Sequence, residues 1–183
     1  MKKVVVFLAD GFEEIEGLTV VDVLRRAQIE VTTVSIKDSL EIQGAHNIIV
    51  MADRTFTDMD FSDTDMLVLP GGVPGTNHLA EYQPLLDLLN QFYKEGKLIS
   101  AICAAPSILG LQGFLKGKPA TCYPGYEDKL LQAIPVDEGV VIADNIITGK
   151  AMGTAMDFSF VLVERLVGKE MADRVAEMIY YTK

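Results

Sequence analysis

Short, nearly unbroken apolar runs alternate along this chain with amphipathic stretches of helical length, and that alternation leaves few folds open. Strand-like runs are read at residues 3–8, 30–36, 66–69, 98–102 and 140–148, and helical stretches at 15–27, 76–94, 104–111, 154–167 and 169–181. A strand with one wet face alternates apolar and polar residues, whereas a strand buried on both faces does not. The pattern therefore predicts an α/β fold, a mostly parallel sheet covered by helices on both faces. In the first helix Ile15, Leu18, Val21 and Leu24 share one face, and in the second Pro84 starts a longer second part. Residues 41–51 read as a hairpin broken at Gly44 and Ala45 and lying outside the main sheet, and residues 120–122 as a short strand. No linker, repeat or low-complexity stretch interrupts the pattern, so residues 1–183 are expected to form one domain.

The most informative run ends at Cys103. Leu98 to Ile102 is entered through Gly96, and the helix beyond tolerates Pro106 in its first turn, where a missing N–H costs little. A strand that becomes a helix at one residue bends tightly there, so the residues two before and two after must be small. They are Ala101 and Ala105. Such a nucleophile elbow lifts its side chain above the sheet, over a helix N-terminus that favours a thiolate. The competing reading is a buried structural cysteine.

Ligands of open α/β sheets sit outside the carboxyl ends of the strands. Residues 10–16, Pro70-Gly71-Gly72 and Cys103 converge there. Glu13 and Glu14 read as partners of the helix dipole. Glu16 differs, because a carboxyl crowded by a thiolate has its pKa raised and, while protonated, donates a hydrogen bond to the sulfur. Gly71 and Gly72 are either a plain turn or, with the N–H of Ala104, an oxyanion hole. His46 and His78 read as surface residues, and Cys122 as packing. Residues 148–151 imitate a phosphate loop but end in Ala151, without the hydroxyl that binds magnesium, and no zinc spacing is present.

A net charge of -10 with no basic cluster argues against nucleic acid. The apolar run after Lys3 stops at Asp10, too short for a signal peptide, and no stretch approaches the roughly 20 apolar residues that span a bilayer. Two cysteines make no disulfide framework, which points to a reducing cytoplasm.

Taken together, residues 8–16, 22–27, 67–72, 101–106 and 153–158 resemble the ThiJ/PfpI superfamily, in the branch of the parkinsonism-associated deglycase and its bacterial relatives. The resemblance runs nearly end to end. It implies a flavodoxin-like three-layer sandwich, related to class I glutamine amidotransferases and dimeric through a surface that includes the first helix. It also implies an easily oxidised, low-pKa thiol at Cys103, hydrogen-bonded by a protonated Glu16, with Gly71, Gly72 and Ala104 receiving an oxyanion. Relatives often carry a histidine close to the thiol where Tyr123 stands, and protease-type members have one directly after the cysteine, where this chain has Ala104. A phenol is a poor base at neutral pH, so Tyr123 binds rather than carries protons. The implied activity is cofactor-independent glyoxalase or deglycase chemistry on small reactive aldehydes such as methylglyoxal. A non-enzymatic redox role of Cys103 needs no imidazole and stands as the alternative, with a cysteine hydrolase or amidase third.

Overall fold

The computed structural model describes residues 1–182. In chain order the elements are β1 (Lys3–Leu8), α1 (Glu14–Arg26), β2 (Glu30–Ser35), β3 (Glu41–Gln43), β4 (Ile49–Met51), β5 (Arg54–Thr55), β6 (Met66–Leu69), α2 (Gly75–Glu81) and α3 (Gln83–Lys94). There follow β7 (Leu98–Ile102), α4 (Pro106–Leu111), β8 (Pro119–Ala120), β9 (Ile134–Pro135), β10 (Val140–Ala143), β11 (Ile146–Gly149), α5 (Ala155–Val167) and α6 (Lys169–Met178). A seven-stranded sheet has the order β10-β11-β7-β6-β1-β2-β5, parallel throughout except for the β10–β11 pair at one rim. This is the flavodoxin-like α/β arrangement.

The β1 strand shows why its run is unbroken. Val4, Val6 and Leu8 belong to the core shared with α1, α5 and α6, while Val5 and Phe7 belong to the core shared with α3 and α4. Alternate side chains point to opposite faces, and here both faces are dry. Register then positions the site. Leu69 pairs with Ala101, and Gly149 with Ile102, so the loops after β6, β7 and β11 leave the sheet side by side. No helix among the described residues is long and apolar enough to cross a membrane.

Several elements depart from the sequence reading. The buried side of α1 is Glu16, Gly17, Val20, Val21, Val23 and Leu24, whereas Ile15 is 51 % exposed and Leu18 also reaches solvent. The helix is turned so that Glu16 enters the interior. Ile15 and Leu18 join exposed Ile48, Ile49 and Met51 among the apolar side chains left outside. The 41–51 hairpin is present as the antiparallel β3–β4 pair, separate from the main sheet. The two-part helical stretch of 76–94 is present as α2 and α3, parted at Tyr82, with Pro84 in the first turn of the second as expected. Around residue 120 the strand is only Pro119–Ala120, paired with Ile134–Pro135 outside the main sheet, and Cys122 lies beyond it. Regular helix begins at Pro106, because Ala104 and Ala105 are used to make the elbow.

Candidate functional site

Cys103 stands at φ +66°, in the left-handed region that side chains disfavour. It is held there from both sides. Its N–H donates to the Gly149 carbonyl at 2.9 Å, and its own carbonyl accepts from the Tyr123 N–H at 2.7 Å. Ala101 and Ala105, both fully buried, leave room for the bend. Backbone strain of this kind costs about 1–3 kcal/mol and persists only where the surroundings impose it.

Beside the thiol lies Glu16, carried inward by α1 and only 1 % exposed. Its Oε2 accepts the Gly71 N–H at 2.9 Å. Gly71 leaves no space of its own: a Cβ there would lie 2.5 Å from Glu16 Oε2 and 2.6 Å from the Cys103 Cβ. The N–H groups of Gly72 and Ala104 face the sulfur and favour its charged form. Gly71 thus serves the carboxyl, while Gly72 and Ala104 serve the thiol. Because α4 has six residues and starts beyond the elbow, these two amides, more than a helix dipole, supply the positive field.

Burial pushes the Glu16 carboxyl up to about 7, against the Cys103 hydrogen bond and the Gly71 N–H, which favour the carboxylate. Burial and the charge of an ionised Glu16 push the Cys103 thiol up to about 12. A thiol of depressed pKa, expected from the resemblance, is therefore not what an ionised Glu16 permits. The two groups titrate as one pair that carries a single negative charge over the range between those values. Oε1 of Glu16 is fully buried without a well-formed hydrogen bond of its own, although the Cys103 thiol and the Met152 main chain lie near the carboxyl. A carboxylate oxygen left so is costly, whereas a protonated carboxyl donates a hydrogen bond.

The remaining residues fall outside this pair. Tyr123 is 48 % exposed, and its ring meets Tyr126 edge to face at 6.5 Å. His46 is exposed and bonded to Glu14, and His78 Nδ1 meets the Asp10 carbonyl at 2.9 Å. Cys122 is buried against a separate pocket that it lines with Thr121, Glu127 and Lys150. Burial, followed by the charge of Glu127, pushes its thiol up to about 11. Glu14 is not a surface partner of the helix dipole but is 2 % exposed and accepts hydrogen bonds from the β3–β4 hairpin. The main chain of Met152, which also favours the Glu16 carboxylate, had no signal in the sequence because it acts through its backbone.

Residues 2–165 match the DJ-1/PfpI family model. Arabidopsis thaliana DJ-1 homolog B is 40 % identical over 96 % of this chain, which spans only 40 % of that relative's length. Drosophila melanogaster protein dj-1beta is 36 % identical over 96 % of this chain and 95 % of its own length. The Caenorhabditis elegans glutathione-independent glyoxalase DJR-1.2 is 32 % identical over 93 % of this chain and 91 % of its own length. Among solved structures, oxidized Toxoplasma gondii DJ-1 superimposes with a TM-score of 0.95 at 32 % identity, over 100 % of both chains. With the elbow cysteine, the inward glutamate and the glycine turn in one place, and with relatives matching nearly the whole chain, this protein belongs to the DJ-1/PfpI family.

Proposed function

We propose that the chain is a cofactor-independent, cysteine-dependent enzyme acting on small reactive aldehydes, with methylglyoxal as the type substrate. The observation that carries this reading is the buried Glu16 carboxyl, its Oε1 without a well-formed hydrogen bond, set against a thiol that faces two main-chain N–H groups. With its proton on Glu16, the pair presents Cys103 as a thiolate at neutral pH. The thiolate adds to the aldehyde carbon, and the new alkoxide is received by the Gly72 and Ala104 N–H groups. Glu16 gives its proton to that alkoxide, forming the hemithioacetal. Now a carboxylate, it takes the proton from the former aldehyde carbon and returns it to the neighbouring ketone carbon, while the hydroxyl proton passes to the former ketone oxygen. One carbon is oxidised and the other reduced within the same molecule, leaving a thioester that water cleaves to lactate and free thiolate. The glyoxalase named among the relatives supports this substrate class.

Purified protein incubated with methylglyoxal should yield lactate, and Cys103→Ala should lower the rate to that of buffer. Equal lactate from both proteins would reject the reading.

A second reading is favoured by the same two N–H groups, which suit the oxygens of an oxidised sulfur. Mild peroxide should then add two oxygens to Cys103 and leave buried Cys122 unchanged, as read by intact mass and peptide mapping. Oxidation of Cys122 ahead of Cys103 would sink it.

A further inference from the structure

The tip of the β3–β4 hairpin, residues 44–48, folds down onto the first turn of α1, and two kinds of bond hold it there. The first are main-chain bonds without titratable partners: Gly11 N–H to the Gln43 carbonyl at 2.7 Å and Ala45 N–H to the Phe12 carbonyl at 2.8 Å. The second kind centres on Glu14. Its Oε1 accepts the N–H groups of His46 at 2.8 Å and Ile48 at 3.4 Å, and its Oε2 lies 2.9 Å from His46 Nδ1. The carboxyl packs flat on the hairpin, since a Cβ on Gly44 would stand 2.3 Å from its Oε1. Glu13 Oε2 approaches the same ring nitrogen at 3.6 Å. The ring itself is exposed, so the bulk pH reaches it.

We propose that Glu14 and His46 form a pH-dependent latch that fastens the hairpin tip to the N-terminal turn of α1, beside the loop that carries the thiol's glycine turn. Protonated His46 makes a charge-assisted bond to Glu14 and offsets Glu13; neutral His46 keeps one ordinary hydrogen bond and leaves Glu13 without its cation. The charged groups around the ring are Glu13 at the N-cap of α1 and Glu14 in its first turn. Asp10 of the preceding loop is already taken by Lys37 and the Gln43 N–H, and His78 of α2 is held on the Asp10 carbonyl. The hydrogen bond to Glu14 and then the charge of Glu13 raise the His46 pKa above its usual 6.5. A raised folded pKa means that the latch is fully made below the unfolded value and is lost as pH rises through the folded one. The neighbouring Glu13 N–H holds the Gly71 carbonyl at 2.9 Å, so the hairpin tip and the glycine turn hang on consecutive residues.

The test is hydrogen exchange of residues 44–48 across the His46 titration, with rates corrected for intrinsic exchange and the ring followed by NMR. His46 should titrate above 6.5. Protection of the tip should fall by about two- to fivefold as the ring loses its proton, the range an exposed charge pair supports. His46→Gln should remove the pH dependence while β1 and β7 stay protected. Titration of His46 at or below its ordinary value, or an unchanged pH dependence in His46→Gln, would overturn the latch.

Discussion

Glu16→Leu is expected to slow alkylation of Cys103 at neutral pH by about 10- to 100-fold, the value of one hydrogen bond to a charged group. The sign of this effect separates two arrangements of the same atoms. If the shared charge rests on sulfur, the Glu16 proton stabilises it, and leucine removes that donor. If the charge rests on Glu16, its repulsion is what pushes the thiol up to about 12, and leucine relieves it, so that alkylation speeds up. Glu16→Gln keeps an N–H donor at the same place and should recover most of the wild-type rate. In the wild type the rate should climb through about pH 7, where the pair loses its first proton. A rate that climbs only toward pH 12 would place the proton on sulfur and remove the basis of the aldehyde chemistry. Glu16 also links stability to pH. Its raised folded pKa gives a contribution present below the ordinary 4.5 and lost as pH rises through about 7, and Glu16→Leu should flatten that slope.

Gly72→Ala should cost more stability than any other single methyl placed in the site. The residue has φ +90°, and a Cβ would meet the Glu13 nitrogen at 2.3 Å, the Gly11 oxygen at 2.5 Å and the Phe12 carbonyl carbon at 2.6 Å. All three are main-chain atoms, which cannot swing aside as a side-chain tip does. Making room separates the loop after β1 from the loop after β6, which the Glu13 N–H to Gly71 and Gly75 N–H to Gly11 bonds now join. A loss of about 3 kcal/mol combines the backbone strain with those bonds. In a chain of this size it lowers Tm by about 6–12 °C, and thiol-dependent lactate formation should disappear with it. Gly113→Ala supplies the control: φ is +78°, but nothing lies within 4 Å of the added methyl. It should lose about 1 kcal/mol and keep its chemistry. Equal losses from the two variants would show that φ alone matters and that the close approach of the loops does not.

Strands buried on both faces were legible because every one of their residues is constrained. The 66–69 and 98–102 runs coincide with β6 and β7 to the residue. The elbow was legible for a related reason, since a bend at Cys103 demands small neighbours within the same short stretch. What depends on distant partners was not. The buried face of α1 is set by what packs on it, and periodicity alone counted Ile15 and Leu18 as interior. Glu14 is buried by a hairpin tip more than thirty residues away, so nothing local distinguishes it from an exposed first-turn carboxylate. The two-residue β5 has no apolar run to announce it and exists through its pairing with Val34 and Ser35. The charge state of Cys103 is likewise a property of the assembled pair, decided by Glu16 and by amides from two separate loops.

The two rims of the main sheet constrain how copies of this chain associate. At one rim β5 is only two residues long, exposes Arg54 and follows Asp53, which is bound by Arg25 and the Thr33 N–H. At the other, β10 runs antiparallel to its neighbour and has the small β8–β9 ladder packed beside it. Neither rim offers the long, flat row of free amides and carbonyls that templates sheet extension. Aggregation by strand addition is disfavoured at both ends, and exposed apolar side chains such as Ile15, Leu18 and Ile49 are carried by α1 and the β3–β4 hairpin instead of by either rim.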